Sequence, residues 1–229
     1  MKLHQFENTN VLNQQFATEI HQHLATAIAE RDLAVLVVSG GRTPQQLFNV
    51  LAQMPLDWSK VVITLADDRF LAPTEADSNE RLVKASLLQY AASAATFISL
   101  YAPHETAEAA VPELLARVSS LPTFDVVILG MGEDGHTASL FPCSAELATG
   151  LADTAADLLA VNPTTAPYQR ISFSRRRLQD SSAVYLHLVG PSKLQVLEQA
   201  MSLDDVMKMP IRAFIQQTDP ELSVMYAAN

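Results

Sequence analysis

The feature that most constrains the fold of this chain is an alternation of short apolar runs with amphipathic helical segments. Valine, isoleucine and leucine are concentrated in four runs, at residues 34–38, 61–65, 124–129 and 183–189. Continuous apolar runs of this length indicate strands buried on both faces, and intervening helices indicate parallel pairing. The pattern predicts an α/β protein with three layers, in which helices cover both faces of a mostly parallel sheet.

The rest of the chain adds covering helices and loops. We expect helices over residues 16–29 and 105–118, and loops over 142–169 around a short strand at 158–161. The 229 residues suit one hydrophobic core, and no repeat or shift in composition marks a boundary. The sequence therefore predicts a single domain spanning residues 1–229.

Charge and cysteine content argue against several classes of protein. A net charge of −10 is unfavourable for binding nucleic acid, and no apolar run is long enough to cross a membrane. With Cys143 as the only cysteine, one chain can form neither a disulfide nor a thiolate-rich metal site. The amino terminus lacks the apolar segment of a signal peptide. We expect a cytoplasmic protein without nucleic-acid or membrane partners and without a bound metal.

Glycine is concentrated where two of the predicted strands end. Five of the seven glycines, at positions 40, 41, 130, 132 and 135, fall in two loops that follow strands. Glycine lets backbone N–H groups approach a ligand closely, as an oxyanion-binding loop requires. In parallel sheets, ligands lie at the carboxyl ends of strands. We therefore expect these two loops to form the functional site.

The first glycine loop is either a phosphate cradle or an ordinary turn between a strand and a helix. Thr43 is expected to cap a helix that begins with Pro44, which would add a helix amino terminus to the cradle. The loop lacks both the Gly-Lys-Thr ending of an ATP-binding loop and the spaced glycines of an NAD-binding fold, so no cofactor is expected. The candidate anion-binding residues here are Ser39, Gly40, Gly41, Arg42 and Thr43.

The second glycine loop carries a candidate catalytic pair. His136 is able to act as a general base near neutral pH, and Asp134 is close enough in sequence to orient its ring. The alternative is a histidine that only donates a structural hydrogen bond.

Three further places add charge near the predicted strand ends. Asp67, Asp68 and Arg69 follow the second strand, and Arg69 is suited to a bidentate pair with phosphate. Lys193 lies in the first turn of a helix, where a cation is unfavourable unless an anion is nearby. The cluster at residues 175–177 is interpreted as a solvated helix start or loop.

Several of these segments resemble the 6-phosphogluconolactonase family. The longest match is Gly-Met-Gly-Glu-Asp-Gly-His-Thr-Ala-Ser-Leu-Phe-Pro at 130–142. Further similarity lies at 38–44, 67–69 with 78–79, 170–173 and 190–193. The resemblance implies a fold similar to glucosamine-6-phosphate deaminase and ribose-5-phosphate isomerase. It also places Arg170 on an arginine-bearing strand of the site.

The resemblance implies hydrolysis of 6-phospho-D-glucono-1,5-lactone in the oxidative pentose phosphate pathway. His136 would then activate water, and Asp67, Arg69, Arg170 and Lys193 would join the first loop in binding a phosphorylated sugar lactone. We expect a monomer or a weak homodimer.

Two alternatives remain open. One is a sugar-phosphate isomerase or deaminase on the same fold, with Asp67 as its carboxylate. Deaminases carry a glutamate after the histidine loop, whereas this chain has Leu140, Phe141 and Pro142. The other is a sugar-phosphate sensor without catalytic activity. The chain also departs from the family at Asp68, Ser172 and Arg42, where glutamate, threonine and serine are usual.

Overall fold

Strands and helices alternate along the chain as the sequence predicts. The computed structural model describes residues 1–229. The strands are β1 (Lys2–Phe6), β2 (Ala34–Val38), β3 (Val61–Leu65), β4 (Asp67–Arg69), β5 (Thr96–Ile98), β6 (Val126–Leu129), β7 (Leu158–Val161), β8 (Arg170–Phe173), β9 (Val184–Val189) and β10 (Ser223–Ala227). The helices are α1 (Thr9–Arg31), α2 (Gln45–Leu51), α3 (Asn79–Ser86), α4 (Ala107–Val118), α5 (Leu147–Leu151), α6 (Arg175–Gln179), α7 (Pro191–Met201) and α8 (Arg212–Ile215), with 3₁₀ turns at Trp58–Lys60 and Tyr90–Ala94.

Seven strands form one sheet in the order β1-β10-β9-β6-β2-β3-β5, and every neighbouring pair is parallel. The central strands β2 and β6 are buried along their whole length. The α/β class and the mostly parallel sheet predicted from the sequence are therefore confirmed. None of the helices is long and apolar enough to span a membrane.

A second sheet has three antiparallel strands in the order β4-β8-β7. The segment Asp67–Arg69, expected as the polar end of a strand, is itself a strand of this sheet. It pairs with β8, so that Arg69 lies opposite Arg170. The sheet therefore connects two predicted site residues that are far apart in sequence.

Helix α1 shows how an apolar stripe covers the main sheet. Asn8 caps the helix, and its side chain accepts a hydrogen bond from the backbone N–H of Val11 at 3.0 Å. Leu12, Phe16 and Ile20 recur at helical spacing and are fully buried. The Phe16 ring packs 4.9 Å from the ring of Tyr185 on β9, which fixes the helix over that strand.

The structure corrects one predicted helix cap. Thr43 does not cap a helix, because it lies in a turn and α2 begins at Gln45 without a side-chain cap. The helix expected to begin with Pro44 therefore begins one residue later, and Thr43 and Pro44 line the cavity as part of the preceding turn. By contrast, Ser78 caps α3 and accepts a hydrogen bond from the N–H of Arg81 at 3.3 Å.

Candidate active site

A cavity of about 560 Å³ lies at the carboxyl ends of the central strands. The loops that follow β2 and β6 form part of its wall, and the small antiparallel sheet forms another part. All of the predicted site residues except Asp134 line this cavity: Ser39, Gly40, Gly41, Arg42, Thr43, Asp67, Arg69, His136, Arg170 and Lys193. The fold thus brings these predicted site residues together around one cavity.

Asp134 lies beside the cavity, where it orients His136. Its Oδ1 accepts hydrogen bonds from the Nδ1 of His136 at 2.6 Å and from the backbone N–H of His136 at 3.1 Å. Although partial burial acts to raise it, the pKa of Asp134 is lowered overall by these hydrogen bonds and by the nearby imidazole. An ionised Asp134 fixes the proton of the neutral ring on Nδ1 and leaves Nε2 as the acceptor.

Gly132 is required by the position of the His136 ring. A Cβ atom at residue 132 would lie 2.2 Å from both Cε1 and Nδ1 of that ring. The loop closes through a hydrogen bond from the Gly132 N–H to the His136 carbonyl at 2.9 Å. This glycine therefore makes room for a side chain of the site, whereas the sequence suggested an approach of backbone to anion.

The first loop contains a glycine of the same kind. A Cβ on Gly40 would overlap the side-chain amide of Asn79, with 1.9 Å to its Oδ1. Asn79 in turn donates from Nδ2 to the Asp67 carbonyl at 3.0 Å. Gly41 differs, because it has φ +96 and open space around it. Of these two glycines, Gly41 is thus the one that leaves its backbone open towards a ligand.

Two arginines occupy the wall formed by the small sheet. Arg69 and Arg170 are cross-strand partners, and both line the cavity. Arg170 is only 6% exposed, its Nη2 donates to the Pro167 carbonyl at 2.9 Å, and its Nε has no partner. Burial lowers the pKa of Arg170. Two cations placed opposite each other on paired strands repel, so an anion between them is favourable.

Phe141 packs beside both His136 and Arg170. The His136 ring packs 4.1 Å from the ring of Phe141, and the Arg170 guanidinium lies 5.7 Å from the same ring. His136 and Arg170 therefore share one aromatic neighbour at the cavity. Phe141 follows the glycine loop at the place where the deaminase pattern has a carboxylate.

The two adjacent aspartates have separate environments. Asp67 lines the cavity, and its Oδ2 accepts a hydrogen bond from the Ser139 hydroxyl. Asp68 lies away from the cavity, and its carboxylate accepts from the backbone N–H groups of Asn79 at 2.7 Å and Glu80 at 3.0 Å. Burial raises the pKa of Asp68 to about 6 against the effect of these bonds. Asp68 thus holds the start of α3, while Asp67 is available to a ligand.

Lys193 connects the start of α7 to the second glycine loop. Its Nζ donates to the Met131 carbonyl at 3.0 Å and lies 2.7 Å from Oε1 of Glu133. The cation is therefore held beside the histidine loop, although the ion pair with the largely exposed Glu133 contributes little stability.

The interpretation of residues 175–177 as a helix start is confirmed, because α6 begins at Arg175, but the cluster is only partly solvated. Arg177 is buried, its guanidinium lies 3.7 Å from the Phe124 ring centroid, and its Nη2 donates to the Pro122 carbonyl at 2.7 Å. Arg175 and Arg176 bond to the carbonyls of Leu151 and Ala155. The three arginines join α6 to neighbouring loops, and none of them lines the cavity.

Asp77, Tyr168 and His187 are polar residues of the cavity wall that were not predicted from the sequence. His187 lies in the middle of β9, where its apolar neighbours conceal it. A histidine inside a buried strand is itself the signal that could have found it, because such a group is usually hydrogen-bonded. The structure contains no group of three or more His, Cys, Asp or Glu side chains able to hold a metal ion.

Comparison with known proteins places the chain in a family. The family model described as glucosamine-6-phosphate isomerases/6-phosphogluconolactonase matches residues 7–224. A 6-phosphogluconolactonase of Rhizobium meliloti is 42% identical over 227 residues, which are 98% of this chain and 98% of that protein. The crystal structure of a 6-phosphogluconolactonase from Shewanella baltica has a TM-score of 0.98 and 47% identity, with 100% of this chain and 98% of that chain covered.

A more distant neighbour supports the expected fold. The structure of a monomeric glucosamine-6-phosphate deaminase has a TM-score of 0.80 at 18% identity, covering 99% of this chain and 97% of that chain. At this identity the similarity concerns the fold alone. Together with the match over nearly the whole sequence, these relatives show that the chain belongs to the glucosamine-6-phosphate isomerase/6-phosphogluconolactonase family.

Proposed function

We propose that this protein is a carboxylic ester hydrolase that converts 6-phospho-D-glucono-1,5-lactone to 6-phospho-D-gluconate, the second step of the oxidative pentose phosphate pathway. The observation that carries the proposal is the pair of His136 and Asp134, which leaves an acceptor nitrogen at a cavity that also holds two arginines. The relatives that cover almost the whole chain are named for the same activity.

In the proposed reaction, Nε2 of His136 takes a proton from a water molecule as that water attacks the lactone carbonyl carbon. Asp134 stabilises the imidazolium that forms, because its carboxylate already accepts the Nδ1 proton. The tetrahedral intermediate then collapses, the bond from carbon to ring oxygen breaks, and the imidazolium returns its proton to that oxygen. The products are a hydroxyl group and a carboxylic acid, which ionises at neutral pH.

The cationic and glycine-loop residues provide binding for the anionic oxygens. Arg69 and Arg170 are held by strand pairing, so they remain in place before the substrate arrives. We assign the phosphate and the oxyanion to these two arginines, to Lys193 and to the loop of residues 39–43. A preorganised set of donors is favourable here, because the negative charge on oxygen grows in the transition state.

The site argues against deamination. A deaminase needs a carboxylate beside the histidine, and Phe141 occupies that side of the ring at 4.1 Å. The two other carboxylates of the cavity wall are already hydrogen-bonded: Asp67 accepts from the Ser139 hydroxyl, and Asp77 accepts from the Tyr168 hydroxyl at 3.0 Å. Neither arrangement provides the proton relay that ring opening and enolisation require.

The test is the hydrolysis of freshly generated 6-phosphoglucono-1,5-lactone by the wild type and by His136→Ala, against the spontaneous rate. We expect rapid turnover that the variant lowers by about 10²-fold to 10⁴-fold, the range for general base catalysis. His104→Ala is the matched control, because His104 also contacts a carboxylate, Glu113 at 2.9 Å, but lies outside the cavity.

Glucosamine 6-phosphate is assayed in parallel for ammonia release. Release of ammonia would assign the protein to the deaminase reaction. No acceleration of either reaction would contradict the hydrolase proposal and favour a sensor.

A further inference from the structure

His187 is a buried side chain of the cavity wall that has no hydrogen-bond partner. It is 4% exposed, both ring nitrogens are unpaired, and its ring lies 5.5 Å from the ring of Phe16 in an edge-on arrangement. A buried donor or acceptor without a partner is destabilising, because it has lost its hydrogen bonds to water. The free protein therefore carries an unfavourable group at the cavity, and a ligand atom there would relieve it.

The charge state of His187 decides which ligand group suits it. Burial lowers the pKa of His187 to about 4, so the ring is neutral near pH 7. A neutral imidazole offers one donor and one acceptor. A hydroxyl group offers the same two functions, whereas a phosphate or a carboxylate only accepts. The neutral ring thus differs from the cations of Arg69, Arg170 and Lys193, which suit anionic oxygens.

We propose that His187 is a specificity residue that hydrogen-bonds one ring hydroxyl of the bound sugar lactone. This inference rests on the proposed function and extends it from the reacting ester to the carbohydrate. In the complex, the cationic side chains would then bind the anionic oxygens of the substrate, and the neutral imidazole would bind one of its hydroxyl groups. An analogue without that hydroxyl would leave His187 unpaired in the complex, which is how such sites reject it.

The chain offers a matched control in Asn13. Its side chain is fully buried in α1, and both its amide nitrogen and its amide oxygen are unpaired, as for His187. Asn13 does not line the cavity. Its replacement by leucine therefore reports the general effect of removing an unsatisfied polar group from the core.

The experiment compares kcat/KM for the parent lactone with its 2-deoxy, 3-deoxy and 4-deoxy counterparts. We expect the wild type to lose about tenfold on one deoxy lactone, which corresponds to one hydrogen bond between neutral groups. Compared with the wild type, His187→Leu should have a kcat/KM about tenfold lower for the parent lactone and unchanged for that one analogue. His187→Gln keeps a donor and an acceptor, so it should recover part of the discrimination, and Asn13→Leu should keep the wild-type pattern.

Denaturant unfolding of each variant shows that it is folded before the rates are compared. Two outcomes would contradict the inference while leaving lactone hydrolysis intact. One is an equal fall in kcat/KM on all four lactones in both His187 variants, and the other is a preference among the lactones that neither variant changes. Failure of the wild type to hydrolyse any of the lactones would instead remove the proposed function, and this inference with it.

Discussion

Asp134 holds His136 through a single carboxylate oxygen, which accepts one hydrogen bond from the backbone and one from the ring of the same histidine. The residue that orients the ring is thus also the residue that shapes the loop. Any change at position 134 acts on the direction of the imidazole as well as on its electrostatics.

Asp134→Asn should lower kcat by about 100-fold with little change in KM. The amide has no negative charge to stabilise the imidazolium, and its NH₂ group favours the tautomer with the proton on Nε2. Steady-state lactone hydrolysis measures the effect. Glu113→Gln is the control, because it removes a carboxylate from the exposed His104 and should leave both constants unchanged. A rise in KM at constant kcat would assign Asp134 to binding.

Gly132→Ala should abolish most of the activity of a protein that still folds. The new methyl group would occupy the space of the His136 imidazole, 2.2 Å from two of its ring atoms. Gly130→Ala is the comparison, because a Cβ there meets nothing within 4 Å. We expect kcat to fall at least tenfold more in Gly132→Ala than in Gly130→Ala, since misplacing a catalytic group is costly. Equal rates would show that the ring moves aside at no cost.

Arg177→Ala should reduce the free energy of unfolding by about 3 kcal/mol and leave KM unchanged. The substitution removes a buried cation stacked on Phe124 and leaves the carbonyl of Pro122 without its donor. Urea denaturation gives the stability. Arg175→Ala, at a more exposed position of α6, should cost about 1 kcal/mol or less. A loss of activity in stable Arg177→Ala would instead place Arg177 in the site.

The raised pKa of Asp68 predicts that its contribution to the free energy of unfolding falls as pH rises. Its folded pKa of about 6 lies above the ordinary value for an unfolded chain, so the native state binds the proton more tightly between pH 4 and 6. The stabilisation is complete below about pH 4 and is lost as pH rises through 6. Relative to Asp68→Asn, the wild type should lose about 3 kcal/mol of unfolding free energy between pH 4 and 7.

Urea unfolding at several pH values gives this difference, and groups other than Asp68 cancel in the comparison. A difference that grows in favour of the wild type as pH rises would show that the backbone N–H groups of Asn79 and Glu80 keep the carboxylate ionised.

The strands β2, β3, β6 and β9 were predicted from the sequence, whereas β1, β4, β5 and β10 were not. β2 and β3 have the predicted bounds, because continuous burial on both faces requires a continuous apolar run. β1 is mostly exposed and forms by pairing with β10, more than 200 residues away in sequence. β4 contains only charged residues and is a strand because β8 pairs with it. Both β1 and β4 depend on a partner that is distant in sequence, so local hydrophobic periodicity does not reveal either strand.

The residues predicted from the glycine loops lie together at one cavity, because those loops follow neighbouring strands of the sheet. The glycine loops mark strand ends, and His136 and Ser39 were found on that basis. The cap assigned to Thr43 failed because the helix starts later than the Thr-Pro pair suggests. His187 is flanked by leucines and belongs to no motif, so its occurrence inside a buried strand was the one signal in the sequence.

Arg69 and Arg170 are positioned by a different sheet from the one that carries the His136 loop. Their relative position is set by backbone hydrogen bonds between β4 and β8, and a slip of one residue would turn a side chain to the other face. The histidine loop, by contrast, belongs to the main sheet. Under the proposed function, mutations in the histidine loop would therefore alter the chemistry first, while strand pairing keeps the two arginines in register.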